Sequence, residues 1–470
     1  MQDILTSAIN NLSEFISSAG NKQKASLFSY AFKLKISNQM QLLNSLGSSY
    51  SKMIFFRQPN GKHSYIALGS ITDLIPEGKT NISAIAENFN KWKNDFINNW
   101  NDLDLKFVPI IVSAVKFDGK RNSEKWIDFP PLAFYIPEII LLRSEEESFC
   151  IFNFIFKDEK QVEIILKDFK EKLSSIINSN GKIDYSPALT YEDVLNDSIE
   201  EKTNWNCLVV KTRDILKKNQ LEKLVLSRQK IFSISNHPDW NFIFEKLEKK
   251  FSECYLFLNK SKNSYFFGVS PEKFISVNNR KIEVEAVAGS APRSKQQPED
   301  MNYENGLMVS TKNLKEHKYV SEFIINVLKE YSINIISSDN PEIKKLDNIQ
   351  HLITKVSAKL KAKDKLFELI EALYPTPAVC GVPKNDAIEY IRQLEDYDRG
   401  LYSGLIGWLD FNGNCDFSVT IRSALAKDKE ITAFAGAGIM EDSDPDEEFI
   451  ETQLKLKPIL MLFNEKDKNK

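Results

Sequence analysis

The sequence is short of several things, and each shortage removes a class of protein. Its formal net charge is only -3 at pH 7, so it has neither the basic field that draws nucleic acid nor a polybasic patch for a membrane surface. Five cysteines, Cys150, Cys207, Cys254, Cys380 and Cys415, are scattered without a CxxC pair or disulfide-like spacing. That distribution speaks against a structural zinc site and predicts a reducing, cytoplasmic setting. No apolar run approaches the roughly 18–20 residues that a membrane span requires. The start, Met1-Gln-Asp-Ile-Leu5, has no basic segment followed by a continuous apolar one and does not read as a signal peptide. Neither a GxGxxG turn nor a Walker-type phosphate loop occurs, which leaves a nucleotide site without support. Arginine is scarce too, 10 of the 62 basic residues. Most lysines read as solvated surface, and an arginine inside an apolar strand stands out.

What is present is an ordinary globular composition, 470 residues with 42% apolar and 27% charged, enough for one large core or several modest ones. Ile4, Leu5, Ala8, Ile9, Leu12, Phe15 and Ile16 recur at helical spacing and predict an opening amphipathic helix. Strand-like segments follow at 52–56, 64–68 and 107–115, separated by helical stretches at 84–101 and 161–177. Asn, Ser, Gly and charged residues mark 179–204 as a linker. Beyond it the pattern predicts helices at 191–219, 240–250 and 300–331, with strands at 221–227, 255–258, 265–268 and 281–286. Strands interleaved with helices, without a regular βαβ rhythm, indicate an α+β fold with large antiparallel or mixed sheets. Residues 1–200 are expected to be mainly scaffold and 201–460 to carry the chemistry, with a disordered charged tail at 464–470.

The last hundred residues are the most informative. They read Tyr374-Pro-Thr-Pro-Ala-Val-Cys-Gly381, Tyr402-Ser-Gly-Leu-Ile-Gly407, Val419-Thr-Ile-Arg422, Phe434-Ala-Gly-Ala-Gly-Ile439, and an acidic segment from Asp444 to Lys455. Asp444, Pro445 and Glu447 form the N-cap, N1 and capping-box pattern of a helix start. On that helix Glu448, Glu451 and Lys455 share a strip, either as a solvated Glu–Lys face or as part of a site. Glu316 shares a helical stripe with Val320, Phe323 and Val327, and an acid at the head of an apolar stripe is costly unless paired. Carboxylates from two helices would make an oxygen-rich site suited to Mg2+.

Other candidates carry open alternatives. Arg422 closes the alternating segment Ser418–Arg422 and is placed either to clamp a carboxylate or to face water at an edge. Gly436 and Gly438 allow a ligand to approach the backbone, or else serve close packing. Lys223 heads the strand Lys-Leu-Val-Leu-Ser, where most lysines are surface residues. Glu272 follows Ser270-Pro271, where most acids shape turns.

Taken in order and spacing, these segments resemble the chorismate-utilising enzymes: isochorismate and salicylate synthases, and the large subunits of anthranilate and aminodeoxychorismate synthases. The likeness spans roughly 205–458 and is densest after 370. It implies the chorismate-binding fold, with sheets packed in layers, helices outside, the active site between the layers, and Mg2+ as cofactor. By motif it implies Glu316, Glu448 and Glu451 as metal ligands, Asn313 standing where some members have another acid. Tyr402, Arg422, Gly436, Gly438 and Lys455 are implied as substrate binders, and His351 as the active-site histidine. Lys223 is implied as the base that activates water, where ammonia-using members have glutamine, and Glu272 as the acid that protonates the departing 4-hydroxyl. Ala288 stands where aminodeoxychorismate synthases have a nucleophilic lysine. Ala378 stands where lyase-type members tend to have threonine.

The resemblance therefore implies an isochorismate synthase acting on chorismate without a glutaminase subunit, and a monomer is the expected state. The upstream stretch with Phe117-Asp-Gly119, Trp126 and Phe129–Glu138 resembles the N-terminal region of isochorismate synthases, and the long N-terminal region as a whole resembles the quinone-pathway enzymes, which implies menaquinone or phylloquinone biosynthesis over siderophore or salicylate production. A salicylate synthase, or a non-catalytic chorismate-binding protein, is the alternative.

Overall fold

The computed structural model describes residues 2–19, 25–179, 194–218 and 221–464. Two sheets organise the chain, one of 12 strands and one of 10. The pairings are antiparallel except that Phe96–Asn98 runs parallel to Ser26–Lys33. Strands of the first sheet are apolar on both faces. Ile54 and Phe56 point into a core shared with the second sheet, whereas Met53 and Phe55 point into a separate core outside. This is the two-residue period of a strand buried on both sides.

The inner core fills the gap between the sheets, with Ile54, Tyr65 and Phe257 from one layer against Val112, Phe134 and Phe417 from the other. Outside the first sheet lie the helices Gln2–Ala19, Gln39–Ser49, Val162–Ser179 and Trp240–Lys250. They contribute Leu12, Leu46, Phe169 and Phe244 to the outer core. A third, smaller core joins Ile199–Lys217 and Lys384–Leu394 to the strand pair Lys223–Ser233 and Glu430–Ile439. That sheet end carries the candidate site.

The α+β expectation holds, with layered sheets and helices outside. Residues on both sides of position 200 enter each sheet: Lys52–Arg57 pairs with Tyr255–Ser261, and Ile111–Val115 pairs with Leu405–Leu409. Among the described residues, no helix is long and apolar enough to cross a membrane.

Several expected boundaries move for identifiable reasons. The segment expected as one helix at 84–101 is helical only over Ile85–Asn94, because Phe96–Asn98 is recruited to the sheet edge. The strand expected at 107–115 begins at Ile111, beyond Pro109, which lacks a ladder donor. The helix expected over 300–331 is two helices, Gln297–Val309 and Thr311–Tyr331, divided where Ser310 caps the second by accepting from the Asn313 N–H. The helix predicted from 191 starts at Ile199 behind a Ser198–Glu201 capping box. Most of the expected linker, and the tail beyond Asn464, lie outside the described residues.

Trp126 shows how the layers are locked. Its indole is fully buried, donates to the Asp398 carbonyl at 2.9 Å, and lies against Gly400, whose φ is +54°. A Cβ at 400 would overlap the indole and hold a left-handed conformation that L-residues disfavour. Gly400→Ala should therefore lose about 2–4 kcal/mol of stability in chemical denaturation. An unchanged midpoint would show that Trp126 moves freely.

Candidate active site

Two chain crossings build the site. Ser264–Ser270 belongs to the first sheet and Lys273–Asn278 to the second, and Pro271 and Glu272 form the corner between them. Cys415–Val419 belongs to the second sheet and Ser423–Lys427 to the first, with Thr420–Arg422 as the reverse corner. The corners are hydrogen-bonded together: Val269 N–H donates to Arg422 O at 3.0 Å, and Val419 N–H to Glu272 O at 3.2 Å. Glu272 and Arg422 are thereby presented side by side between the layers. This corrects the expectation that Arg422 ends a strand on its polar face. It sits at φ +50°, a left-handed conformation that a non-glycine residue holds only where its surroundings impose it.

Around these corners lies a cavity of about 60 Å³. Ten of the twelve residues expected from sequence line it: Glu272, Glu316, His351, Ala378, Tyr402, Arg422, Gly436, Gly438, Glu451 and Lys455. Lys223 and Glu448 stand one layer back. A larger cleft of about 770 Å³ lies beyond Pro271, lined by Tyr65, Tyr255 and Asp416 among others. It holds none of the twelve.

Lys223 is completely buried on the strand Lys223–Ser233. Its Nζ lies 3.0 Å from Glu316 Oε1, yet no well-directed hydrogen bond forms, so its N–H groups are not spent on protein. The absent side chain of Gly438 makes the pairing possible. A Cβ there would overlap Glu316 Oε1 and lie 2.9 Å from Lys223 Cε. Gly436 does the same for Tyr402, whose hydroxyl would be 3.0 Å from a Cβ. Tyr402 itself stacks on Phe434 at 5.2 Å between centroids, with 14° between planes.

His351 is buried opposite Ser290 on the neighbouring strand. Its Nε2 faces Arg422 Nη2 at 3.1 Å, and its Nδ1 faces Ser290 Oγ at 3.0 Å. A guanidinium can only donate, so Nε2 accepts and the proton resides on Nδ1. Burial, Arg422 and Lys455 hold His351 well below its usual range, and the ring is neutral. The structure thus makes His351 an orienting acceptor for Arg422. The second guanidinium nitrogen, Nη1, is buried with no hydrogen-bond partner among the described residues. A fully buried, half-satisfied guanidinium marks the position of an anion.

The acids differ in state. Burial pushes Glu272 up to about 7, against the pull of Lys344. Burial and Glu451 push Glu448 up to about 7 as well. Burial would raise Glu451 too, but Lys455, 2.5 Å away, and Lys312 bring it down to about 2. Of the adjacent pair, Glu451 holds the charge.

The three glutamates expected as metal ligands are each held by a lysine: Glu316 by Lys223, Glu448 by Lys312 and Glu451 by Lys455. Among the described residues, no group of three His, Cys, Asp or Glu side chains forms a ready-made ligand set. The donor chemistry nevertheless fits a hard divalent cation. All three are carboxylates, and all three act together on the single ammonium of Lys312.

Lys312, Ser290 and Lys344 were missed from sequence. Lys312 lies one helical turn before Glu316, a spacing that could have drawn attention to it. Ser290 and Lys344 reach the site through cross-strand pairing with His351, which leaves no local signal.

A deep pocket between two antiparallel sheets, with buried acids and cations converging on a carboxylate-sized space, defines an enzyme for a small polyanionic substrate. The family model described as chorismate binding enzyme matches residues 14–464, and the chain belongs to that family. It is 26% identical over 444 residues to the isochorismate synthase MenF of Bacillus subtilis, covering 93% of each chain. To the isochorismate synthase EntC of Escherichia coli K12 it is 31% identical over 356 residues, covering 76% of this chain and 81% of the relative. Among solved structures, MenF of Escherichia coli superposes with a TM-score of 0.76 at 21% identity, over 97% of this chain and 99% of the other.

Gly438→Ala tests how closely the site is packed. Both groups it would meet are ends of flexible side chains, so the fold should survive with a thermal shift of only a few degrees. The Glu316–Lys223 pair would be displaced, and displacements of this size cost about 10²-fold in rate. Full chorismate turnover in a folded Gly438→Ala protein would contradict the placement.

Proposed function

We propose that this chorismate-binding enzyme is an isochorismate synthase, converting chorismate to isochorismate by attack of water at C2 and loss of the 4-hydroxyl. The observation that carries the reading is a buried acid on the pocket wall, Glu272 on its corner, with a buried lysine on a separate strand, Lys223, set against the wall residue Glu316. The names of the Bacillus and Escherichia relatives support it.

In this mechanism Arg422, Tyr402, Lys455 and the backbone at Gly436–Gly438 hold the substrate's carboxylates. Lys223, in its neutral amine form, accepts a proton from water as the water oxygen bonds to C2. The ring double bonds shift, and the C4–O bond breaks as Glu272 gives its proton to the departing hydroxyl, which leaves as water. Glu272 is suited to this because burial keeps it protonated to about pH 7. Mg2+, held by Glu316, Glu448 and Glu451, would neutralise a substrate carboxylate.

No glutaminase subunit is needed, since water is the nucleophile, and a monomer suffices because one chain supplies every group named. The five cysteines form no disulfide, which suits a reducing cytoplasm. We assign the product to menaquinone or phylloquinone biosynthesis on the resemblance of the long N-terminal region, with siderophore or salicylate production as the alternative. Ala378 on the pocket wall favours release of isochorismate over pyruvate elimination.

Purified protein incubated with chorismate and Mg2+ should give an equilibrium of chorismate and isochorismate without pyruvate; stoichiometric pyruvate with salicylate would identify a lyase instead. Lys223→Gln should lose about 10²–10⁴-fold in kcat, and retained turnover would remove it as the base. Glu272 must be protonated to act and its pKa is raised, so kcat should fall as pH rises above about 7. A kcat that stays flat well above that range would remove Glu272 as the acid.

A further inference from the structure

We infer that Lys344 is a positioning residue for Glu272, fixing the corner that carries the acid and supplying the positive charge against which its proton is released. The inference rests on Glu272 being the acid of the proposed reaction.

Lys344 lies on the short strand Glu342–Lys345, directly opposite His351 in the adjoining strand. Its ammonium donates to the Pro271 carbonyl at 2.6 Å and to Glu285 Oε2 at 2.7 Å. The Pro271 carbonyl belongs to the peptide that leads into Glu272. The rest of the corner is tied by other elements. Glu272 N–H donates to Ser270 Oγ at 3.2 Å, and its carbonyl accepts from Ser418 Oγ at 3.0 Å and from Val419 N–H. Lys344 adds a side-chain cation to these ties, and it is held in place because Glu285 grips the same ammonium.

Five charged groups face Glu272. Lys344 and Glu285 come from the second sheet, Lys223 from the first, Lys455 from the last helix and Arg422 from the neighbouring corner. Lys344 is the strongest of the charges acting on it. Lys223 and Arg422 have other tasks in the reaction, whereas Lys344 lines the larger cleft behind Pro271 and is absent from the substrate pocket wall. Its effect on catalysis therefore passes through the corner and the acid. Without this cation a carboxyl buried among apolar walls holds its proton more tightly and gives it up less readily to the leaving hydroxyl.

The test compares kcat and KM against pH for wild type, Lys344→Met, Lys344→Arg and Glu285→Gln, with Glu272→Gln in parallel. Lys344→Met should lower kcat about 10–100-fold while KM changes little, and should move the alkaline limb of kcat upward by about one pH unit. Lys344→Arg, which keeps the charge, should return the limb toward wild type. Glu285→Gln removes a like charge and should move the limb in the opposite direction, a reading that holds even if Lys344→Met does not fold. An inactive Glu272→Gln with unmoved limbs in the Lys344→Met and Glu285→Gln variants would overturn the role of Lys344 alone. An active Glu272→Gln would take down the acid assignment, and this inference with it.

Discussion

The functional centre depends on two chain crossings that lie side by side and hydrogen-bond to each other. Strands of one sheet continue into the other at Pro271–Glu272 and again, in the opposite sense, at Thr420–Arg422. Each corner leaves backbone groups that no ladder satisfies, and the corners answer each other through Val269 with Arg422 and Val419 with Glu272. Buried peptide groups without partners would cost about 1–3 kcal/mol each, so each crossing stabilises the other. One acid and one guanidinium are thereby held between the layers, out of water, where neither would remain on the face of a continuous strand.

Charge burial is the second constraint. Lys223, Glu272, Glu448 and Arg422 are all nearly inaccessible, and burying such groups is costly unless an opposite charge, a hydrogen-bond partner or a change of protonation state compensates. The pairing of each candidate metal ligand with a lysine meets this requirement without a bound ion. Gly436 and Gly438 are as necessary as the charges, since the pairs occupy the space that side chains at those positions would fill.

The local parts of this arrangement were legible in the sequence. Asp444 caps the last helix by accepting from Asp446 and Glu447, as the Asp-Pro pattern indicated, and Glu316 lies on a buried helical stripe with Val320. The strand segments expected at 52–56, 64–68, 221–227, 255–258, 265–268 and 281–286 each fall on a strand of the structure to within a few positions. What the pattern missed depends on pairing between distant segments. Arg422 was read as the end of an alternating strand because Ser418–Arg422 alternates perfectly, and nothing local announces a left-handed corner there. Ser290 and Lys344 gain their roles from lying across from His351, 61 and 7 residues away in the chain. The motif resemblance added His351, Ala378 and Tyr402, and ten of the twelve candidates in all share one cavity wall.

The central claim is that a base on a strand and an acid on a corner add one water to the ring and remove another. Turnover in water enriched in heavy oxygen, with the isochorismate isolated and its mass and fragments measured, tests it most directly. The account predicts a single heavy oxygen, carried by the new hydroxyl at C2. Isochorismate formed in that water without label would mean that the original hydroxyl migrates within the substrate, and would contradict the roles given to Lys223 and Glu272.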